Sequence, residues 1–189
     1  MRISSPSRLM TMSRTDKETR LKDFIVESLT ALAEGPGGNG SITMLVRSVD
    51  SPAARALGAA LAELPLLPVD TRVILADTRI EDATLPSLRD NAGIEFRLLT
   101  DPRFGASHEQ LVVGRTHVWI GDCLRRDPNK RDAFELYHKA DPVARKCAAV
   151  SFENLWSRAK TLMPLKGAAL APEMIATGNA SGFPWSHRQ

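Results

Sequence analysis

Apolar positions change their period along the chain. Between Thr15 and Leu32 they recur at helical spacing, with Leu21, Phe24, Ile25, Leu29 and Leu32 on one face. Thr15 and Glu18 have the T-x-x-E spacing of a capping box, so the helix is expected to start near Thr15. The run GPGGNG (35–40) stops it, because Gly and Pro are poor helix residues. SITMLVR (41–47) then reads as a strand. Ser51 and Pro52 supply an N-cap and a first-turn proline, and Leu57, Ala60, Leu61 and Leu64 give the next helix its stripe. TRVILA (71–76) is a second strand, TLPSLRDNAG (84–93) a short third helix, and IEFRLLT (94–100) a third strand. Helices alternating with strands over short connections predict a parallel sheet with right-handed crossovers.

The second half shifts to period two. After a loop at 101–107, HEQLVVG and THVWIGD read as two strands joined by a turn around Gly114 and Arg115, pairing antiparallel at the centre or edge of the sheet. Glu109, Leu111 and Val113 share one face of the first strand, and His108, Gln110 and Val112 the other; Val118 and Ile120 alternate with His117 and Trp119 in the second. AFELYH (133–138) suits one more strand. Asp141 and Pro142 open a final helix, with Val143, Cys147, Val150, Leu155, Trp156, Ala159 and Leu162 expected to face inward. The expected class is α/β, a mixed, mostly parallel sheet flanked by helices. The domain is expected to span 16–163, between a disordered leader (1–15) and a loosely ordered tail (164–189) docked only by Phe183 and Trp185.

Composition adds limits. With 189 residues, 43% hydrophobic and 25% charged, the chain suits one globular domain. No window approaches the roughly 18 apolar residues of a membrane span. The leader is Ser- and Arg-rich, like a transit peptide in composition, but lacks the apolar core of a secretory signal; a disordered leader is the plainer reading, with Met10 or Met12 as an alternative start. The net charge of +3 says little, whereas its distribution says more. Arg2, Arg8, Arg14, Lys17, Arg20 and Lys22 load one end, and Arg125, Arg126, Lys130 and Arg131 form a second cluster. Each is either a solvated surface or a phosphate-binding patch, nucleic acid included. Cys123 and Cys147 suit neither a disulfide framework nor a metal site, so a reducing cytoplasm is the default. His117 also lacks the further ligands that a metal needs. Gly35, Gly37, Gly38 and Gly40 do not form a phosphate-binding loop, and no cofactor is implied. Trp119 and Trp156 are expected as core anchors, since 5% aromatics leave no row for stacking bases.

The stretch HEQLVVGRTHVWIGD (108–122) resembles one half of the phospholipase D superfamily, whose motif is H-x-K-x4-D followed by a Gly-rich return strand. His108 stands at the histidine position, and Gly121 and Asp122 fall where a Gly-Ser pair would be. In the family the histidine attacks phosphorus, the lysine holds nonbridging phosphate oxygens, and a second motif from another half or subunit supplies the leaving-group acid. Here Gln110 replaces the lysine, Arg115 the aspartate and Asp122 the serine. Charged donors bind phosphate about twice as strongly as neutral ones, and losing one at a developing charge costs about 3 kcal/mol. The resemblance therefore implies a phospholipase D-like half with a degenerate site, acting as a binding or regulatory module for a phosphate-bearing ligand or a protein partner. His108 is the catalytic candidate, and Gln110, Arg115, Asp122, Arg125 and Arg126 are the phosphate-binding candidates. A homodimer follows by analogy, because one motif does not complete a two-motif site. The alternatives are an active phosphodiesterase or nuclease using His108 as nucleophile, and an interaction domain that binds through an exposed strand edge.

Overall fold

The computed structural model describes residues 9–11, 13–34, 40–64, 69–76, 93–126 and 132–162. Along the chain these form β1 (Leu9–Thr11), α1 (Arg14–Ala33), β2 (Gly40–Val46), α2 (Pro52–Glu63), β3 (Val69–Leu75), β4 (Ile94–Leu98), a 3-10 turn (Pro102–Ala106), β5 (His108–Val113), β6 (His117–Cys123), β7 (Asp132–Phe134), β8 (Leu136–His138), α3 (Pro142–Trp156) and β9 (Lys160–Thr161). The helix expected at 84–93 and the tail with Phe183 and Trp185 lie outside the described residues.

Seven strands make one sheet in the order β8-β6-β5-β2-β3-β4-β9. The β2-β3 and β3-β4 pairs are parallel; the other four pairs are antiparallel. Four strands point one way and three the other, because the hairpin and the short edge strands reverse direction. The β5-β6 hairpin lies inside the sheet, between β2 and β8. The expected strand at 133–138 divides at Glu135: β8 pairs with β6, whereas β7 leaves the main sheet to pair with β1. Part of the expected leader is therefore a strand.

Helices α1 and α2 cover one face of the sheet. Leu21, Phe24, Ile25 and Leu29 from α1 and Ala53, Leu57 and Ala60 from α2 pack with Ile42, Met44, Val73, Leu111, Val113 and Trp119. On the opposite face, Phe152, Leu155 and Trp156 of α3 pack on Leu45, Ile74, Leu99 and Leu124, and Ala148 packs on Val112 and Val118. The strand alternation expected in β5 and β6 thus matches these two layers.

Two local expectations change. The first helix starts earlier, with Ser13 as its N-cap; Ser13 Oγ accepts the Asp16 amide at 3.1 Å. Thr15 is already helical, so its capping-box spacing with Glu18 is coincidental. Leu155, Trp156 and Ala159 are buried as expected, but earlier in α3 the inward stripe is rotated. Val143 and Val150 are 71% and 55% exposed and Cys147 is exposed, while Ala148 and Phe152 are buried. The small Ala148 allows the close approach to β5 and β6 that a larger side chain would block.

Removing the Ser13 hydroxyl in Ser13→Ala should cost about 1 kcal/mol in urea unfolding, and Thr15→Ala much less. A side chain at position 121 would meet the Trp119 ring at 2.5 Å, so Gly121→Ala should cost about 1–3 kcal/mol in the same measurement.

Candidate functional site

The motif-bearing hairpin begins where the parallel strands end. β5 runs antiparallel to β2, with Gln110 opposite Leu45, so His108 lies at the C-terminal end of β2. In open α/β sheets ligands gather at this edge, beside the strand where the order reverses. β2 is that strand here, with β3 parallel on one side and β5 antiparallel on the other.

The hairpin contains a bulge at this end. His108 pairs with Cys123 and Gln110 with Ile120, so Glu109 alone faces both Gly121 and Asp122. An extra residue breaks the alternation and redirects the side chains beyond it. Glu109 and Asp122 both reach Lys17 on α1, at 3.9 and 3.7 Å, while Gln110 turns to the α3 layer.

His108 is exposed. Its Nδ1 lies 2.8 Å from the Gly121 carbonyl, and its ring meets Phe134 edge-on at 5.6 Å. A carbonyl only accepts, so in this bond Nδ1 carries the hydrogen, and the neutral ring keeps a lone pair on Nε2. Gln110 is buried, and its Nε2 donates to the Ala148 carbonyl at 3.2 Å. Arg115 sits in the hairpin turn, roughly 20 Å from His108 at about 3.3 Å per residue. Asp122 accepts from Arg126 at 3.0 Å and from the Phe134 amide at 2.9 Å. His108, Gln110 and Asp122 thus have separate partners, and Arg115 is remote.

Lys17, one of the basic residues that load the first part of the sequence, is neither solvated nor a surface patch but the centre of a buried ion cluster. Its Nζ lies 3.9, 3.7 and 3.5 Å from carboxylate oxygens of Glu109, Asp122 and Glu135, and 5.3 Å from the Trp119 ring centroid. The Tyr137 hydroxyl donates to Glu135 at 2.9 Å, and the Arg47 amide donates to Glu109 at 3.3 Å. Burial pushes the Glu109 and Glu135 carboxyls above the ordinary carboxylate range, with Lys17 opposing the shift. Lys17, Glu109 and Asp122 were each visible in the sequence, but their meeting was not, because they lie on separate elements.

Beside the hairpin, on the same edge, a cavity of about 360 Å³ opens between the ends of β2, β3 and β4 and the 3-10 turn. Arg47, Leu99, Phe104, Leu124 and Arg125 contribute to its walls. The Arg47 guanidinium donates to the Leu124 and Arg126 carbonyls, and Arg125 Nη2 donates to the Pro102 carbonyl at 2.7 Å. Backbone carbonyls orient these cations without neutralising them. Asp101, also in the wall, is paired with Arg103 at 2.6 Å, and bonds to that side chain hold its carboxyl down at about 2. Among the described residues, no group of three His, Cys, Asp or Glu side chains is arranged to hold a metal ion.

This architecture matches solved structures at low identity. Nuc from Salmonella typhimurium, a phospholipase D family member, is 17% identical, with a TM-score of 0.50 over 72% of this chain and 89% of that one. NucT from Helicobacter pylori is 11% identical, with a TM-score of 0.49 over 76% of this chain and 94% of that one. No protein-family model matches the chain, and no curated protein sequence does. The chain has a phospholipase D-like fold.

Replacing Lys17 with Met should cost about 3–5 kcal/mol near pH 7, because three carboxyl groups lose their shared cation. Glu109 and Glu135 bind protons more tightly folded than unfolded, so they add stability as pH falls from their raised values towards the unfolded value of about 4.3. The double variant Glu109→Gln, Glu135→Gln should lose this part of the pH slope in urea unfolding just above the unfolded carboxylate value of about 4.3.

Proposed function

We propose that the chain is a phospholipase D-like binding module that holds a phosphate-bearing ligand at the strand-end edge and lacks the family's full catalytic set. The observation that carries this reading is the state of Gln110. At the lysine position of the motif stands a buried, neutral amide whose nitrogen donates to the Ala148 carbonyl. That bond holds the amide in the α3 layer, and binding phosphate there would bring no positive charge. Arg115 is too far along the hairpin to substitute, and Asp122 serves the Lys17 cluster. Among the described residues, Arg47 and Arg125 line the cavity at this edge, with Arg126 following Arg125 and paired to Asp122. Guanidinium groups bind phosphate oxygens through two parallel bonds, which suits recognition without turnover.

His108 favours a second reading. Its bond to Gly121 leaves Nε2 free in the neutral ring, which is the form an attacking imidazole needs. An active phosphodiesterase would then use His108 as the nucleophile, with a second copy of the chain supplying the leaving-group acid. No helix among the described residues is long and apolar enough to cross a membrane, so neither reading draws on a membrane-spanning helix.

Hydrolysis of bis(p-nitrophenyl) phosphate separates the two. The binding reading expects no turnover above background from the wild type or from His108→Ala, together with a phosphate-dependent rise in Tm, since a ligand specific to the native state stabilises it. Turnover that disappears in His108→Ala would establish the second reading instead.

A further inference from the structure

We propose that the cavity between the 3-10 turn and the ends of β2–β4 binds a phosphate monoester carrying a flat apolar group, with the phosphate on Arg47 and Arg125 and the flat group against Phe104, Leu99 and Leu124. This deepens the phosphate-binding reading and rests on it.

The cavity has two chemically distinct parts. One is cationic: Arg47 and Arg125 line it, and each is held by backbone carbonyls, so both charges are oriented before a ligand arrives. The Arg125 stem also lies directly over Gly105, where an added Cβ would fall 2.6 Å from Nε. Gly105 is thus the residue that lets this arginine lie against the turn. The other part is apolar. Leu99 and Leu124 belong to the α3-side core with Phe104 packed against them, and all three reach the cavity wall.

Inorganic phosphate would use only the cationic part. A flat group joined to the phosphate would also cover the apolar wall. The Arg158 guanidinium lies 5.5 Å from the Phe104 ring centroid and adds positive charge beside that wall, which favours an electron-rich ring. Asp101 does not oppose the anion strongly, because its carboxylate is paired with Arg103 and caps the 3-10 turn. At about 360 Å³ the cavity falls at the lower end of the roughly 300–1,000 Å³ typical of small-ligand pockets. It suits one ring and one phosphate better than an extended polymer.

The test measures binding of inorganic phosphate, phenyl phosphate and phenol to the full chain by calorimetry and Tm. Phenyl phosphate should bind about tenfold tighter than inorganic phosphate, as burying most of one ring face implies, and phenol should not bind measurably. Arg125→Ala should weaken both phosphates by about tenfold, the scale of one lost charge-assisted contact. Phe104→Ala should remove the advantage of phenyl phosphate while leaving inorganic phosphate unchanged. Arg125→Lys, which keeps the charge and is easily accommodated at an exposed site, should recover part of the lost affinity and guards against a folding artefact. Adenosine monophosphate is a further arm: tighter binding than phenyl phosphate assigns the ligand to nucleotides, and weaker binding assigns it to simple aryl phosphates. Equal affinities for phenyl and inorganic phosphate, or indifference to Phe104→Ala, overturn the inference while the phosphate-binding reading stands. If neither phosphate binds, that reading fails and the inference with it.

Discussion

One unpaired residue in the hairpin sets the chemistry of the strand-end edge. Glu109 on β5 faces two residues, Gly121 and Asp122, on β6. An unbulged hairpin would keep strict alternation to its end. The bulge instead lets Asp122 join Glu109 on the α1 side, where both meet Lys17, while Gln110 stays on the α3 side. The Gly121 carbonyl at the bulge holds the His108 ring. Glycine is required there because the Trp119 ring fills the space a side chain would occupy.

The ion cluster follows from that geometry. A lysine buried among three carboxylates, beside an indole ring, is costly to assemble and costly to break. It connects α1 with two strands distant in sequence, β5 and β6, and with Glu135 between β7 and β8. It joins the first helix to the bulged end of the hairpin. Glu109, Asp122 and Glu135 gather at Lys17, while Arg47 and Arg125 border the cavity, whose wall also holds Asp101 paired to Arg103.

The α/β order, the hairpin and the two-faced patterning of β5 and β6 were legible in the sequence, because successive strand side chains point to opposite faces of a sheet and burial on one side of a helix imposes a period of 3.6. The sequence made His108 the first residue of its strand, and the pairing of β5 with β2 places it at the strand-end edge. Helix details were less legible. Ser13 caps α1 two residues before the capping-box pattern, since many Ser and Thr residues can donate a cap and only the local backbone selects one. In α3, apolar residues at Val143, Cys147 and Val150 suggested a stripe that the helix turns to solvent, because the narrow gap above β5 and β6 admits Ala148 instead.

The sequence alone determined which residue types would meet at the hairpin: an imidazole, an amide in place of an ammonium, an acid in place of a hydroxyl, and nearby guanidinium groups. Only the tertiary structure decided their directions. Pairing register is a property of two strands together, so no count along one strand reveals the bulge that redirects Asp122. Likewise Lys17 and Arg47 lie far from the motif in sequence, and folding alone brings the first to its acidic residues and the second to the wall of the cavity.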